Sequence, residues 1–539
     1  MALQSIPDFS DPRTISDPYD AFAYLRHHHP LYWSQHYNAW LMTRFDDVAS
    51  AQGDTRRYSS NRMRALVNAQ VPVHEQAALE PFIEKASRWM YSQDGKVHEA
   101  GRKVLGKAFT PRAIDALAGD IERIVDDLLA QLSPQPELMT ELFDKIPALI
   151  LAHIFGIAAQ DALKIRRWTD AIIVFMVGST DPAFGPREAL QAMEQMYEQF
   201  SLLVDERRMS ALAGNDLVSQ VIAAGDKALM SKDDVLAQLA FVVVAATTTS
   251  ADQLGIIMFY LLSNPEALAE LKTHPGLIPN AIEEALRICP AGQLSHRVLT
   301  EDVTLHGQTM HKGDLVYLIR AAANRDPRHF SDPDRFDIHR QKRDHLAFGR
   351  GPHFCMGTLL FKLEAKVVFS RLLQRFPNVR LIRSQPPAWR TNSLQFRGLS
   401  HIHVALEPAS GSITRCFSAA PWEKNGGYCR ALRAGNLVVT SGTVAFDERG
   451  NPYAPGDVYR QTRRCLEIIE AALEQLGVDR TLVVATRMYT TDVAWWPQIA
   501  KAHQEFFSDC PPTTMLLGVN QLIAPDYLIE IEAQAWTGQ

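Results

Sequence analysis

The chain has 539 residues, 46% of them hydrophobic, which is too long for one ordinary domain and apolar enough for two cores. A net charge of -6, with no block of Lys or Arg, excludes the basic field that a nucleic-acid partner requires. The six cysteines, Cys289, Cys355, Cys416, Cys429, Cys465 and Cys510, lie far apart without a Cys-x-x-Cys, which argues against a zinc site or a disulfide framework and for a reducing, cytoplasmic setting.

The first twelve residues have neither a basic start nor a long apolar core, so no signal peptide or membrane anchor is expected. The longest apolar run, Leu239 to Ala246, is far too short to span a bilayer. Residues 7–60 carry Pro and Asp turn signals and a Trp/Tyr-rich segment (Leu31-Tyr32-Trp33, Ala39-Trp40-Leu41), which predict strand pairs and short helices. From about 61 to 93 no firm period is present. A helix is predicted from Asp94 to about Phe109, where Pro111 marks its boundary. It places His98 and Arg102, four apart, on one face, either as a solvated pair or as two cations aimed at a pair of carboxylates.

Residues 113–230 read as amphipathic helices, with loops at Ser133 to Pro136, Gly178 to Pro186 and Ala213 to Asn215. Ile172 to Val177 is either helix core or pocket lining. Ser231-Lys232-Asp233-Asp234 has the form of an N-cap with acids in the first turn, opening a long apolar helix through Leu262. At its centre stands Ala245-Ala246-Thr247-Thr248-Thr249-Ser250, whose threonines can bond the carbonyls of the preceding turn. Glu284 and Arg287 are spaced for an intrahelical ion pair.

The stretch Phe348-Gly349-Arg350-Gly351-Pro352-His353-Phe354-Cys355-Met356-Gly357 reads as a loop that delivers one cysteine to the start of a helix. Met356, Leu359, Leu360, Leu363 and Val367 recur at helical spacing, with Lys362, Glu364 and Lys366 on other faces. A helix N-terminus favours a thiolate over a thiol. Gly349, Gly351 and Gly357 let backbone approach a flat, bulky cofactor and point amide donors at the sulfur. A thiolate so placed suits heme iron, whereas a lone cysteine without such surroundings is usually a small buried hydrophobe.

This stretch resembles the heme-binding signature of the cytochrome P450 superfamily, Phe-Gly-x-Gly-x-His-x-Cys-x-Gly, with every defining position filled. The resemblance covers roughly residues 7–407. It implies a mainly α fold with small β regions over a first domain, 1–408, with heme b (iron protoporphyrin IX) held by Cys355 as axial ligand of the iron. It further implies heme propionate contacts from His98 and Arg102 (the His-x-x-x-Arg pattern), Arg297, His345 and His353. Glu284 and Arg287 match a structural Glu-x-x-Arg pair, residues 61–93 a variable loop over the heme, and the middle of 113–230 a mobile lid.

Thr249 lies 35 residues before Glu284, the separation usual in the family, so it takes the place of the threonine that bonds oxygen in the Ala-Gly-x-acid-Thr motif. Two positions depart from that motif: Ala246 stands for Gly, and Thr248 for the acid. A hydroxyl such as that of Thr248 passes a proton along a water chain but does not store one at neutral pH as a carboxylate does. Waters and substrate then complete the relay, or oxygen activation is slow and leaky. Asp252, one turn beyond Thr248, is a candidate substitute.

After Leu406 to Ser412, which reads as a Pro/Ser/Gly linker, the pattern changes to that of an α+β module. A hairpin is predicted at Tyr428 to Arg433 and Leu437 to Ser441, a helix from about Asp457 to Leu476, and a strand from Val483 to Thr490. A helix from Trp496 to Phe507 and strands at Thr514 to Val519 and Tyr527 to Trp536 follow. No phosphate-binding Gly-rich turn or cysteine cluster is present to feed electrons to heme. Gly427-Tyr428-x-Arg430-Ala431, Ala434 to Gly442, Thr490-Thr491-Asp492 and Glu530-Ile531-Glu532-Ala533 resemble the reactive-intermediate deaminase (RidA, YjgF-like) family, with its chorismate-mutase-like fold, over a second domain, 409–539. That family forms trimers and its active members hydrolyse enamines and imines. Its signature arginine is replaced by Thr513, while Tyr428 and Glu530 keep their positions. An assembly or docking module, an altered hydrolase and a relic of fusion all remain open.

Together these resemblances imply a bacterial-type monooxygenase of secondary metabolism. It would take a small organic substrate, dioxygen and electrons from a ferredoxin-type donor with its reductase, need no nucleic acid or membrane, and form a homotrimer through its second domain. Peroxide-driven or bond-forming oxidation, and a ligand-binding heme protein with little turnover, are the rival readings.

Overall fold

A computed structural model describes residues 6–176, 185–209, 216–391, 393–407, 413–418 and 420–538. The predicted loops at 178–186 and 213–215, Val177 and the linker residues 408–412 fall wholly or mostly outside them. The chain divides into two units: Met1–Gln131, Glu137–Arg371 and Leu381–His403 form the first, and Leu132–Pro136, Leu372–Arg380 and Val404–Gln539 the second.

In the first unit the helices that build the site are α1 (Gly95–Gly106), α2 (Lys145–Phe155), α3 (Ala162–Met176), α4 (Pro186–Met209), α5 (Lys232–Ser263), α6 (Ile278–Ile288) and the start of α7 (Thr358–Arg375). Helix α5 begins where its cap dictates: Ser231 accepts from the Asp234 amide and Asp234 reaches back to the Ser231 amide, so two otherwise orphaned donors are satisfied. Apolar nearly all round, α5 is long and apolar enough to cross a membrane by length and composition, yet it is mostly buried, against α2, α3, α4 and α6.

The stretch without a period, 61–93, contains short helices, among them Met63–Gln70 and Glu80–Ser87. Each spans about two turns, too few for a period to declare itself, but each buries an apolar face: Met63, Leu66 and Val67 in one, Phe82, Ile83 and Ala86 in the other.

The Trp/Tyr-rich segment forms the antiparallel pair β1 (Leu31–Ser34) and β2 (Ala39–Met42), with Trp33 opposite Trp40. With β3 (Tyr58–Ser59), β4 (Ser295–Leu299) and β5 (Leu315–Leu318) they make a five-stranded sheet of order β1-β2-β5-β4-β3. Strand β4 carries Arg297 from this sheet toward the site.

The second unit is built on a seven-stranded sheet. Strands β6 (Ile413–Cys416), β7 (Ala431–Ala434), β8 (Leu437–Thr440), β9 (Thr443–Val444), β10 (Val483–Thr490), β11 (Thr513–Gly518) and β12 (Ile529–Trp536) take the order β6-β7-β8-β12-β10-β11, with β9 also on β12. Only β10 and β11 run parallel. Ile529, Ile531, Ala533 and Ala535 alternate inward along β12 and join the core that includes α8 (Val458–Gln475) and α9 (Trp496–Phe506), which is why the period-2 and period-3.6 patterns are so clear here.

Buried charge locks the first unit at α6. Both Glu284 oxygens accept from Arg287 at 2.8 Å, Arg340 Nε donates to the same carboxylate at 3.1 Å, and the Asp337 amide adds a further bond at 3.0 Å. Glu284→Gln leaves two buried guanidiniums without their anion. It should lower the unfolding free energy of the heme-loaded protein in urea by about 3–5 kcal/mol; a loss within about 0.5 kcal/mol, typical of an exposed site, would show that the cluster is not structural.

Candidate functional site

A cavity of about 320 Å³ lies in the first unit, bounded by α1, α3, α5, the segment Pro290–Arg297, the cysteine loop and the start of α7. Its walls are mainly apolar: Phe241, Val242, Val244, Ala245 and Ala246 from α5, Ile173 and Met176 from α3, and Phe396. The predicted apolar run 172–177 thus divides, with Ile172 fully buried in the core and Ile173 and Met176 on the cavity.

The loop that carries Cys355 is fixed by backbone geometry. Gly349 and Gly351 have φ of +72° and +73°, and a Cβ on Gly351 would press within 3.0 Å of the Gln52 carbonyl and Gly53 Cα. The Cys355 amide donates to the Phe348 carbonyl at 2.9 Å, and the Thr358 hydroxyl donates to the Cys355 carbonyl at 2.8 Å as α7 begins. Cys355 is open to the cavity, and desolvation raises its thiol against the Gly357 amide, Thr358, Arg320 and Arg102, which favour the thiolate.

Beside this loop sits an excess of buried cations. His98 and Arg102 of α1, Arg297 of β4, Arg320 and His353 all line the cavity. Arg62 is 1% exposed, stands 3.9 Å over the Tyr91 ring, and leaves Nε and Nη2 without partners. Arg297 Nε, Arg320 Nε and His98 Nε2 are equally without partners. The His98 and His353 rings lie 4.0 Å apart, tilted by 36°, and His353 Nε2 meets Ser60 Oγ at 3.0 Å and Asp94 Oδ1 at 3.4 Å. Burial, then His353 and Arg102, push His98 down to about 4, while burial and Arg62 push Arg297 down to about 10. Asp94 is held down at about 2, its burial overcome by bonds from His353, Ser59 and the Ser60 amide. His345 does not join this group: its Nε2 meets Glu283 Oε2 at 3.1 Å, and it is absent from the cavity wall because the chain turns it toward α6. That corrects its expected propionate contact.

Comparison with known proteins settles the family. The model for "Cytochrome P450" matches residues 276–393, and Cytochrome P450 107B1 of Saccharopolyspora erythraea is 34% identical over 375 residues, 68% of this chain and 89% of that protein. The chain belongs to the cytochrome P450 family. It is also 30% identical to 6-deoxyerythronolide B hydroxylase of the same organism, over 75% of this chain and all of that one. The solved structure of P450BioI, in complex with an acyl carrier protein ligated to hexadec-9Z-enoic acid, superposes with a TM-score of 0.67 at 26% identity, covering 74% of this chain and 99% of that one. Residues 418–537 match the "Endoribonuclease L-PSP" family, to which RidA belongs.

Heme b is the cofactor of P450 proteins, and the cavity fits it. Five buried or half-buried basic groups line the cavity, His98, Arg102, Arg297, Arg320 and His353, with Asp94 the carboxylate bonded to them among the described residues, and the unpartnered nitrogens of His98, Arg297 and Arg320 call for more negative charge. Two propionates and a metal-bound sulfur answer that need. Arg62 and Arg320 escaped sequence reading because each comes from a segment with no motif of its own.

On α5 the three threonines have different surroundings. Thr249 lines the cavity and its Oγ1 donates to the Ala245 carbonyl at 2.7 Å. Thr247 bonds the Val243 carbonyl and Thr169, so the simple helical reading describes it well. Thr248 is 5% exposed, absent from the cavity wall, and donates to Asp170 Oδ1 of α3 at 3.0 Å. Of the two threonines expected to serve the chemistry, Thr249 thus reaches the cavity and Thr248 faces α3. Asp252 is also corrected: it is buried away from the cavity and ion-paired with Arg390, and burial pushes its carboxyl up to about 6 against that pairing.

Glu364, set apart by its spacing from the apolar residues of α7, occupies the cavity wall, 2% exposed, with Oε1 unpartnered, and burial pushes its carboxyl up to about 8.

In the second unit, Tyr428 and Glu530 both lie near Arg430. The Arg430 guanidinium is 5.9 Å from the Tyr428 ring, and burial raises the Glu530 carboxyl in spite of Arg430 nearby. Arg430 itself is buried, donating to Glu423 at 2.8 Å and to the Gly442 carbonyl and Thr443 hydroxyl at 3.1 Å. A side chain at Gly442 would overlap the Glu530 carboxyl. Thr513 is not in this group. It pairs with Ala485 while Glu530 pairs with Tyr489, four residues along β10, about 13 Å at strand spacing, and its hydroxyl donates to the Val484 carbonyl.

Because Glu364 holds its proton more tightly folded than unfolded, the stability it contributes is complete below about 4.5 and is lost as pH rises toward about 8. Urea unfolding of heme-free protein should show wild type losing stability across that range and Glu364→Gln losing clearly less. Parallel profiles would mean that the carboxyl is not held neutral.

Proposed function

We propose that the first unit is a heme-thiolate monooxygenase that inserts one oxygen atom into a small, mainly apolar metabolite, using electrons from a separate ferredoxin-type donor and its reductase. The observation that carries this reading is the conjunction of a glycine-bounded cysteine loop, a carboxylate-seeking cation cluster and an apolar cavity bearing the Thr249 hydroxyl. Heme, when bound, supplies dioxygen activation, to which a thiolate ligand adds charge that favours O–O cleavage. Cys355 would hold the iron, and His98, Arg102, Arg297 and His353, with Arg320, would hold the propionates. Phe241, Val244, Ile173 and Phe396 would exclude water and orient a C–H bond, and Thr249 Oγ1 would hold a proton at the cavity wall. Relatives named for 6-deoxyerythronolide B hydroxylation and for polyketide biosynthesis support a macrolide-like or other polyketide-derived substrate of secondary metabolism. A cytoplasmic location fits the six free cysteines.

For the second domain, taken as residues 409–539, we propose assembly of the enzyme as a homotrimer. Leu437, Trp536, Met515 and Leu517 lie on the sheet face opposite α8 and α9, each 41–49% exposed, a run of apolar side chains that a neighbouring subunit would cover. Thr513 in place of the expected arginine and the separation of Thr513 from Glu530 weigh against imine hydrolysis within one chain.

Two results test these readings. The reduced, carbon monoxide-bound protein should show the thiolate-type absorption band, and Cys355→Ser should lose it, since a hydroxyl ionises far less readily than a thiol; a band retained in the variant would assign the ligand elsewhere. Light scattering should give about 180 kDa for the full chain, three times 60.4 kDa, and a monomer after deletion of 409–539. A monomeric full chain at micromolar concentration would remove the assembly role.

A further inference from the structure

Helix α5 has no carboxylate at position 248, yet one reaches that position from another helix. Thr248 Oγ1 donates to Asp170 Oδ1 at 3.0 Å. The Thr248 side is buried, but the Asp170 side chain is 29% exposed, so a single carboxylate touches solvent on one side and a buried α5 hydroxyl on the other. Arg166, one turn earlier on α3, fixes the carboxylate by donating from Nε to both oxygens at 2.9 Å, and is itself anchored by Asp144 Oδ1 at 2.9 Å. The next residue along α5, Thr249, lines the cavity. We propose that Asp170 is the proton-storing residue that α5 lacks, acting through the Thr248 hydroxyl on the proton supply to Thr249.

The inference rests on the monooxygenase reading, in which R–H, dioxygen, two electrons from a ferredoxin-type donor and two protons give R–OH and water. The C–H and O–O bonds break, the C–O bond of the product forms, and the second oxygen atom leaves as water with the two delivered protons. Asp170 takes a proton from solvent. Its hydrogen bond with Thr248 then reverses, the carboxyl donating and the hydroxyl accepting, which frees the Thr248 proton to pass by way of water to the cavity side of α5, where Thr249 stands. Thr248 gives up one proton as it receives another, so nothing accumulates on it. Asp252 and Glu364 each lack one end of this path. Asp252 is 0% exposed and paired with Arg390, and Glu364 stands in the cavity with Oε1 unbonded. The charged groups around Asp170 are Arg166 from its own helix and Asp144 ahead of α2, with Asp252 of α5 and Arg390 beyond them.

The test uses the full heme-loaded chain and carbon monoxide as the probe. In wild type the C–O stretching band of the reduced complex should shift with pH. The shift should vanish in Asp170→Asn and Thr248→Val, persist in Asp252→Asn and Glu364→Gln, and return in Asp170→Glu. Ferredoxin-driven NADPH oxidation should fall on the order of 100-fold in the first two variants, with the thiolate-type band intact. A shift that survives in Asp170→Asn, or oxidation at the wild-type rate in that variant, overturns the proposal. Thr248→Val keeps the Arg166–Asp170 pair and so carries the test should Asp170→Asn fail to load heme. Absence of the thiolate-type band from wild type would instead overturn the monooxygenase reading itself.

Discussion

The first unit depends on an electrostatic imbalance. Arg62, Arg297, Arg320 and His98 are held in the interior with nitrogens that meet no acceptor, and Asp94 is the carboxylate bonded beside them, to His353, among the described residues. Burying cations without anions costs several kcal/mol per group, so the fold tolerates them only if negative charge arrives with a ligand. Everything around them follows from that demand. The aromatic β1-β2 pair and β4 hold Arg297, α1 holds His98 and Arg102, and the glycine-bounded loop puts Cys355 at the same cavity. At α6 the protein shows the opposite solution, with Glu284 fully matched by Arg287 and Arg340. One buried cluster is complete and rigid, and the other is built incomplete so that a cofactor completes it.

How much of this could be read in advance depended on whether the information was local. The cysteine loop was legible because its geometry forces glycine at fixed places, and the start of α5 because Ser231 and Asp234 are three residues apart. The second unit was legible nearly strand by strand, since one face of its sheet is buried and the other is not, which writes a period of two into the sequence. Its family resemblance and that of the first unit both held, with a mainly helical fold in one and a sheet-rich α+β module in the other.

What stayed hidden is what depends on distant partners. Asp170 meets Thr248 across 78 positions, and no spacing rule connects them. Glu364 was set apart from the apolar residues of α7, and only the partners that the fold brings around it make its position a cavity wall. His345 lies eight residues before His353 and ten before Cys355, yet it pairs with Glu283, showing that nearness in sequence to a cofactor loop does not place a side chain in the site. The short helices between 63 and 87 were invisible for want of length.

The central claim is that the buried cations await two carboxylates. It is tested most directly by comparing the thermal unfolding of heme-free protein with metal-free protoporphyrin IX and with its dimethyl ester, which has the same ring but no charge on its side arms. The account predicts a clear rise in midpoint with the diacid and little or none with the ester. Equal stabilisation by both would contradict it, because the ring alone would then account for binding and the cation cluster would have some other purpose.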